Sequence, residues 1–173
     1  MHDVENKEIL DVTCGSRSIW FNKHHPKAVY CDKRDEEHSS TFGATQKTRH
    51  IRVHPDIVCS FTELPFADES FSLVVFDPPH VEGLTDSSWT KKAYGSLDSD
   101  WRQVLHDGFQ ECMRVLKPYG TLIFKWSEVQ IPTPKVIETI GHQPLFGHHS
   151  GKKMNTNWLT FMKFPDHRED EDT

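Results

Sequence analysis

Apolar residues fall along this chain in short runs, and at residues 72–76 they close up into Leu73-Val-Val-Phe76. Four apolar residues in a row suit a strand covered on both faces. The run ends at Asp77-Pro-Pro-His80. Pro78 has no backbone donor, so the strand stops there and the chain turns outward.

Similar runs predict the other elements. Glu8-Ile-Leu-Asp-Val-Thr-Cys14 reads as a first strand, Ala28-Val-Tyr-Cys31 as a second closing on Asp32, and residues 57–61 as a third. After a turn at Gly15, Ser16 is expected to cap a short helix carrying Ile19, Trp20 and Phe21, which Pro26 ends. Residues 33–55 are polar and irregular around Gly43, with no strong helix, and residues 81–98 form a second polar loop. Residues 99–116 carry Trp101, Leu105, Phe109, Cys112 and Leu116 at spacings of 4, 4, 3 and 4, the stripe of an amphipathic helix. Lys117-Pro-Tyr-Gly120 stops it, and residues 121–125 form a fifth strand. Thr133 is expected to cap a short helix with Pro134 at its first position and Gly141 just past its end. Residues 144–146 and 158–162 fit an antiparallel hairpin across 147–157.

Strands alternating with helices predict one α/β domain over residues 1–165. Its sheet is Rossmann-like and mostly parallel, with a C-terminal antiparallel hairpin and helices on both faces. The ligand site then belongs at the carboxyl edge, in loops 13–17, 32–35, 60–63, 77–98 and 126–131.

Composition narrows the classes. No apolar run approaches the roughly 18 residues of a membrane span. The charged start, Met1 to Glu8, is no signal peptide, so a cytoplasmic protein without membrane contact is expected. Cys14, Cys31, Cys59 and Cys112 make no Cys-x-x-Cys pair and read as free, buried thiols. Of the net charge of −6, residues 166–173 carry −4, from five acids against one arginine. That tail is expected to be disordered. The body is near neutral, which does not advertise nucleic-acid binding but leaves room for a local basic patch. His142, His148 and His149, with His24 and His25, lack any Cys or carboxylate at finger-like spacing, so no metal site is expected.

Gly15 lets backbone approach a ligand closely. Asp32, at the end of the second strand, suits the two hydroxyls of a ribose. The dinucleotide Gly-x-Gly-x-x-Gly and the phosphate loop are both absent, so a nucleoside cofactor without a pyrophosphate fits better. At the Asp77-Pro-Pro-His80 corner a carboxylate, stiff carbonyls and a flat ring sit side by side. That set can grip an amino group on a planar ring. Trp89, Lys91, Lys92 and Tyr94 interleave aromatic and basic side chains, as a single-stranded nucleic-acid surface needs. Arg34, Lys47, Arg49 and Arg52 offer weaker candidates for phosphate contacts.

Asp11-Val-Thr-Cys-Gly-Ser-Arg17, Leu64-Pro-Phe-Ala-Asp-Glu-Ser-Phe71, Asp77-Pro-Pro-His80 and Arg114-Val-Leu-Lys-Pro-Tyr-Gly120 stand in this order. Over residues 8–164 the chain thereby resembles the class I S-adenosylmethionine-dependent methyltransferases. With Ile19-Trp-Phe-Asn22, Phe124-Lys-Trp126, Gly151-Lys-Lys153 and Trp158 it looks more narrowly like a small family of phages and prophage-bearing bacteria. The resemblance implies that Asp11, Thr13, Cys14, Gly15 and Arg17 cradle the methionine portion of S-adenosylmethionine. It implies that Asp32 holds the ribose, that Ser60 and Phe61 flank the adenine, and that Asp77, Pro78, Pro79 and His80 are catalytic. Two departures stand out. The first loop carries Thr13 and Arg17 where relatives have more glycine, and Ser60 stands where relatives have an acid.

In the implied reaction, the two N–H groups of an exocyclic amino group donate hydrogen bonds to the Asp77 carboxylate and the Pro78 carbonyl, and its lone pair faces the methyl donor. His80 takes the place of an aromatic residue that stacks on an extruded base. The expected acceptor is adenine in DNA or RNA, with Trp89, Lys91, Lys92 and Tyr94 on the substrate side. The chain has no room for a separate target-recognition domain, so a homodimer or a targeting partner is expected to supply selectivity. A small molecule or protein amide as acceptor, and a binding module without turnover, are the alternatives.

Overall fold

The computed structural model describes residues 4–42, 47–97, 99–150 and 155–165. The first half of the chain contains β1 (Ile9–Asp11), β2 (Ala28–Asp32), β3 (Glu36–Phe42), β4 (Lys47–Val53), β5 (Ile57–Val58) and β6 (Phe71–Phe76). The second half contains α1 (Trp89–Tyr94), α2 (Trp101–Val115), β7 (Leu116–Ser127), α3 (Thr133–Ile140), β8 (Phe146–Ser150) and β9 (Thr156–Met162). Seven strands form one sheet in the order β5-β2-β1-β6-β7-β9-β8, and β3 and β4 pair separately. β5, β2, β1, β6 and β7 run parallel. β9 runs antiparallel to both β7 and β8. The strand order reverses between β1 and β6, which puts a topological switch point at the carboxyl ends of Asp11 and Phe76.

The two faces of this sheet are covered differently. Residues paired across adjacent strands share a face. On one face Leu10, Val29, Val74, Phe76, Leu122, Phe124, Leu159 and Phe161 join Leu105, Phe109 and Cys112 of α2 and Val136 and Ile140 of α3 in the main core. Phe109 sits edge-on to Phe161 at 5.0 Å, and Phe76 to Phe124 at 5.4 Å. On the other face Ala28 and Tyr30 pack with Cys14 and Trp20 from the irregular segment 12–27. Helices were expected on both faces, but α2 and α3 share one face. The connections that should have built the second helical layer are coil between β1 and β2, and the β3–β4 hairpin between β2 and β5.

The helix expected after Ser16 does not form. Arg17 has φ 55°, a left-handed conformation that cannot continue a right-handed helix. The guanidinium instead bonds the carbonyls of Lys23 (2.7 Å) and His54 (2.9 Å) and the Asp56 carboxylate (3.0 Å), and lies 3.8 Å from the Tyr30 ring centroid. Within residues 33–55, expected to be irregular, Glu36–Phe42 and Lys47–Val53 pair as antiparallel β3 and β4. They are held together by polar cross-strand pairs such as Arg52–Glu37 (2.7 Å) and Ser39–His50 (2.8 Å), which carry no hydrophobic period to betray a strand. The loop 81–98 contains α1, whose N-cap is Ser88. α2 runs straight into β7 at Leu116, where Pro118 bars further helix. Thr133 is the first residue of α3 rather than its cap. Its N–H is capped by the Glu128 carboxylate at 3.0 Å, while Gly141 does end the helix with φ 72°.

No helix among the described residues is long and apolar enough to cross a membrane. Gly43, the stretch 151–153 and the tail 166–173 lie outside the described residues.

Candidate active site

Two strand ends meet at the switch point. After β1 the chain turns through Thr13, Cys14 and Gly15, and after β6 it turns at Asp77. The Asp77 N–H donates to the Thr13 hydroxyl at 2.8 Å, so the two turns are bonded to each other. Thr13, Cys14, Gly15, Asp77, Pro78 and His80 line one cavity of about 210 Å³, with Tyr94 of α1, Lys125 and Ser127 of β7 and Thr156 of β9. The first loop and the corner expected to hold the acceptor therefore open into the same space.

The corner is charged and ordered. Lys125 follows the Phe76–Phe124 pair in register, and its Nζ meets Asp77 Oδ2 at 2.6 Å. Both side chains are about a fifth exposed. The Trp158 ring lies 5.6 Å from the same ammonium. His80 faces the Trp126 ring edge-on at 6.2 Å. Burial lowers the His80 pKa, against the pull of Asp77, and favours a neutral ring there. Pro79 packs on Gly95 at the end of α1, where a Cβ would come within 2.9 Å of the proline ring. Only glycine allows that approach, and its φ of 80° also requires one.

On the β2 side, Asp32 is 5% exposed and its carboxylate is filled. It accepts from the Gly15 N–H at 3.0 Å and from the Arg34 backbone N–H and Nε, each at 3.0 Å, with Nη2 at 3.2 Å. Arg34 Nη1 reaches on to the Lys92 carbonyl at 3.0 Å. One side chain thus ties the Asp32 carboxylate to α1, which closes over the cleft. What remains beneath α1 is about 30 Å³, lined by Val12, Asp32, Phe61, Pro79, Tyr94 and Gly95. Phe61 meets Phe76 at a tilt of 58° with ring centroids 5.1 Å apart and is supported by α2, where Gly108 lets the helix come close. A Cβ on Gly108 would sit 2.4 Å from the Phe61 ring.

Several residues expected at the site lie elsewhere. Asp11 lines neither space. It is 1% exposed and accepts from the Trp20 indole at 2.7 Å and the Thr13 N–H at 3.2 Å. Burial raises its pKa to about 7, with the indole bond pulling the other way. Arg17 is turned onto Tyr30 and Asp56, away from both spaces. Ser60 bonds Thr62 at 2.7 Å and also lines neither. Cys14 is at the cavity wall, and burial pushes its thiol up, away from nucleophilic use. Of the four expected substrate residues, Tyr94 lines the cavity. Lys91, paired with Asp86 at 2.8 Å, and Lys92 line an outer groove behind α1 with Lys33, Arg34 and His38. Trp89 is half-buried on α1 and lines neither.

Lys125 was not assigned to the site from the sequence, and Arg34 was offered only as a candidate for phosphate contacts, not as the partner of Asp32. A single lysine ending an apolar strand, one register step past the partner of Phe76, was the available signal for Lys125. For Arg34 the signal was an arginine two residues after a strand-end acid.

No protein-family model matches the sequence, and no curated protein matches it. Solved structures do match its shape. PH0226 from Pyrococcus horikoshii OT3 aligns over 90% of this chain and 81% of its own, with a TM-score of 0.56 and 14% identity. The N-methyltransferase NodS from Bradyrhizobium japonicum WM9 aligns over 92% and 86%, with a TM-score of 0.55 and 10% identity. The [4+2]-cyclase SpnF aligns over 93% and 78%, with a TM-score of 0.53 and 11% identity. The chain has the α/β fold of the class I methyltransferases. SpnF is a cyclase on the same fold, so the reaction must be argued from the site.

Proposed function

We propose that this chain is an S-adenosylmethionine-dependent methyltransferase acting on an exocyclic amino nitrogen, with adenine in DNA or RNA as the favoured acceptor. The observation that carries this reading is the shared cavity: the Gly15 loop and the Asp77-Pro78-His80 corner line the same space. S-adenosylmethionine, when bound, supplies an electrophilic methyl group on sulfur. The residues present fit such a cofactor in kind. Gly15 offers open backbone, buried Asp32 offers a carboxylate at the ribose position, and Phe61 offers an apolar wall for a base. The cleft beneath α1 is only about 30 Å³, so binding requires Arg34 and α1 to give way.

Asp77 does the positioning. Its Oδ1 accepts no hydrogen bond from the described residues and is available for an amino proton. The Pro78 carbonyl is the natural acceptor for the second proton. Two such bonds draw the nitrogen towards a tetrahedral shape and aim its lone pair, which is catalysis by orientation and electrostatics. His80, neutral and on the cavity wall, supplies a flat face for a ring.

The second reading keeps the chemistry and changes the acceptor to a small molecule or a protein amide. The modest cavity favours it, as does the position of Lys91 and Lys92 in a separate groove among Glu36, Glu82 and Asp86. Labelled S-adenosylmethionine offered with duplex DNA, single strands, RNA, nucleosides, peptides and metabolites separates the two. Label on adenine N6 is the expected result. Label only on proteins or metabolites overturns the nucleic-acid acceptor, and binding without any turnover leaves a binding module. Cytoplasmic location, and selectivity supplied by a second copy or a targeting partner, belong to this proposal.

A further inference from the structure

The structure assigns Lys125 as the residue that selects the acceptor: with Asp77 it reads an edge on which an N–H donor stands beside a lone pair. This rests on the amino-nitrogen reading above and narrows it to amidine-like ring edges and carboxamides.

The argument begins with unfilled hydrogen-bonding capacity. An ammonium has three donors and a carboxylate two acceptor oxygens. One Lys125 donor is spent on Asp77 Oδ2 at 2.6 Å, and beyond the Trp158 ring, whose centroid lies 5.6 Å away, no second acceptor among the described residues meets Nζ. Asp77 Oδ1 is equally unspent. Both groups line the 210 Å³ cavity and are about four-fifths covered, so the unspent donors and the unspent oxygen turn to whatever fills that space. A polar group so largely covered and left without a partner is costly, so the acceptor molecule is expected to satisfy both.

Charge then chooses the kind of edge. A bare ammonium beside a nitrogen that gains positive charge on methylation would oppose the reaction. A phosphate or carboxylate against Lys125 would in turn meet Asp77. The pair is neutral as a whole and suits a neutral edge that gives one hydrogen bond and takes one. A ring amino group next to a ring nitrogen is such an edge, and so is a primary carboxamide. An aniline or alkylamine has no adjacent lone pair and leaves Lys125 unsatisfied.

The test uses Lys125→Met, which keeps the length of the side chain and removes its donors. Single-stranded oligonucleotides containing adenine, 1-deazaadenine or 7-deazaadenine, a glutamine peptide, an aniline and an alkylamine are offered with labelled S-adenosylmethionine. The wild type is expected to use acceptors with the paired edge and to lose roughly 10- to 100-fold in kcat/KM when the lone pair is removed. Lys125→Met is expected to lose a similar factor on the intact edge and to be indifferent to the deaza change, while binding S-adenosylmethionine as before. Lys125→Arg, which keeps charge and donors, should recover most of the rate and guards against a simple folding defect. Transfer to the glutamine peptide alone, lost in Lys125→Met, would keep this inference and remove nucleic acid as the acceptor. Equal use of aniline, or an unchanged deaza penalty in Lys125→Met, would overturn it and leave the methyltransferase reading standing.

Discussion

The β6–β7 half of the sheet and the β1–β2 half are built by different means. Behind Asp77, strands β6 and β7 rest on α2 and α3 through fully buried Phe76, Phe109, Leu122 and Phe124. Behind Asp32, the second face of the sheet is closed by coil, and side-chain hydrogen bonds do the work of a helix: Trp20 on Asp11, Arg17 on three groups, and Arg34 on Asp32. Dense apolar packing holds backbone to a single arrangement, whereas polar clasps can be exchanged for a ligand's own groups. The Asp77 corner is thus prebuilt, and the Asp32 side is latched.

The sharpest way to break this contrast is Asp77→Ala. Methyl transfer is expected to fall roughly 10³-fold, by analogy with removal of one preorganised polar contact. Affinity for S-adenosylmethionine in calorimetry should stay nearly unchanged. Equal loss of both would mean that Asp77 belongs to the cofactor side.

Asp11→Asn probes the latched half through pH. The Asp11 carboxyl titrates near 7 in the fold and at about 3.8 in its ordinary state, so between these values the folded chain holds a proton that the unfolded chain has released. Stability from this group is therefore greatest below pH 4 and falls as the pH rises to 7, by roughly 4 kcal/mol in all. Asparagine keeps an oxygen for the Trp20 indole and should remove that slope in urea unfolding at pH 4.5 and 7.5. An unchanged slope would show that Asp11 is not its source.

Gly108→Ala joins the two halves. Its Cβ would strike Phe61, so a cost of roughly 1–3 kcal/mol and a weakened S-adenosylmethionine affinity are expected together. Loss of stability with binding intact would remove Phe61 from the cofactor wall.

The smallest effect is expected from Arg34→Met. It frees Asp32 and unties α1, and should tighten S-adenosylmethionine roughly tenfold, the worth of one charge-assisted hydrogen bond. Weaker binding would instead make Arg34 a cofactor ligand.

Much of the prebuilt half was legible in the chain. The apolar run 72–76 and the stripe on α2 announce their burial, and the double proline marks where a strand must stop. The latched half was not. Ser16 and the apolar residues after it predict a helix, but the bonds of Arg17 to residues 23, 54 and 56 impose a left-handed turn. The polar residues of β3 and β4 carry no period that separates a hairpin from a loop.

By itself the sequence determined the strands of the seven-stranded sheet, the corner at Asp77 and the acid at Asp32, because local chemistry and short-range pattern suffice for these. Only the tertiary structure decided that Lys125 would neutralise Asp77, that Arg34 would fill Asp32, and that Asp11 and Arg17 would turn away from the site. Those outcomes depend on strand register and on contacts between residues distant in sequence. A side chain near a motif has several partners in reach, and only the assembled sheet selects among them.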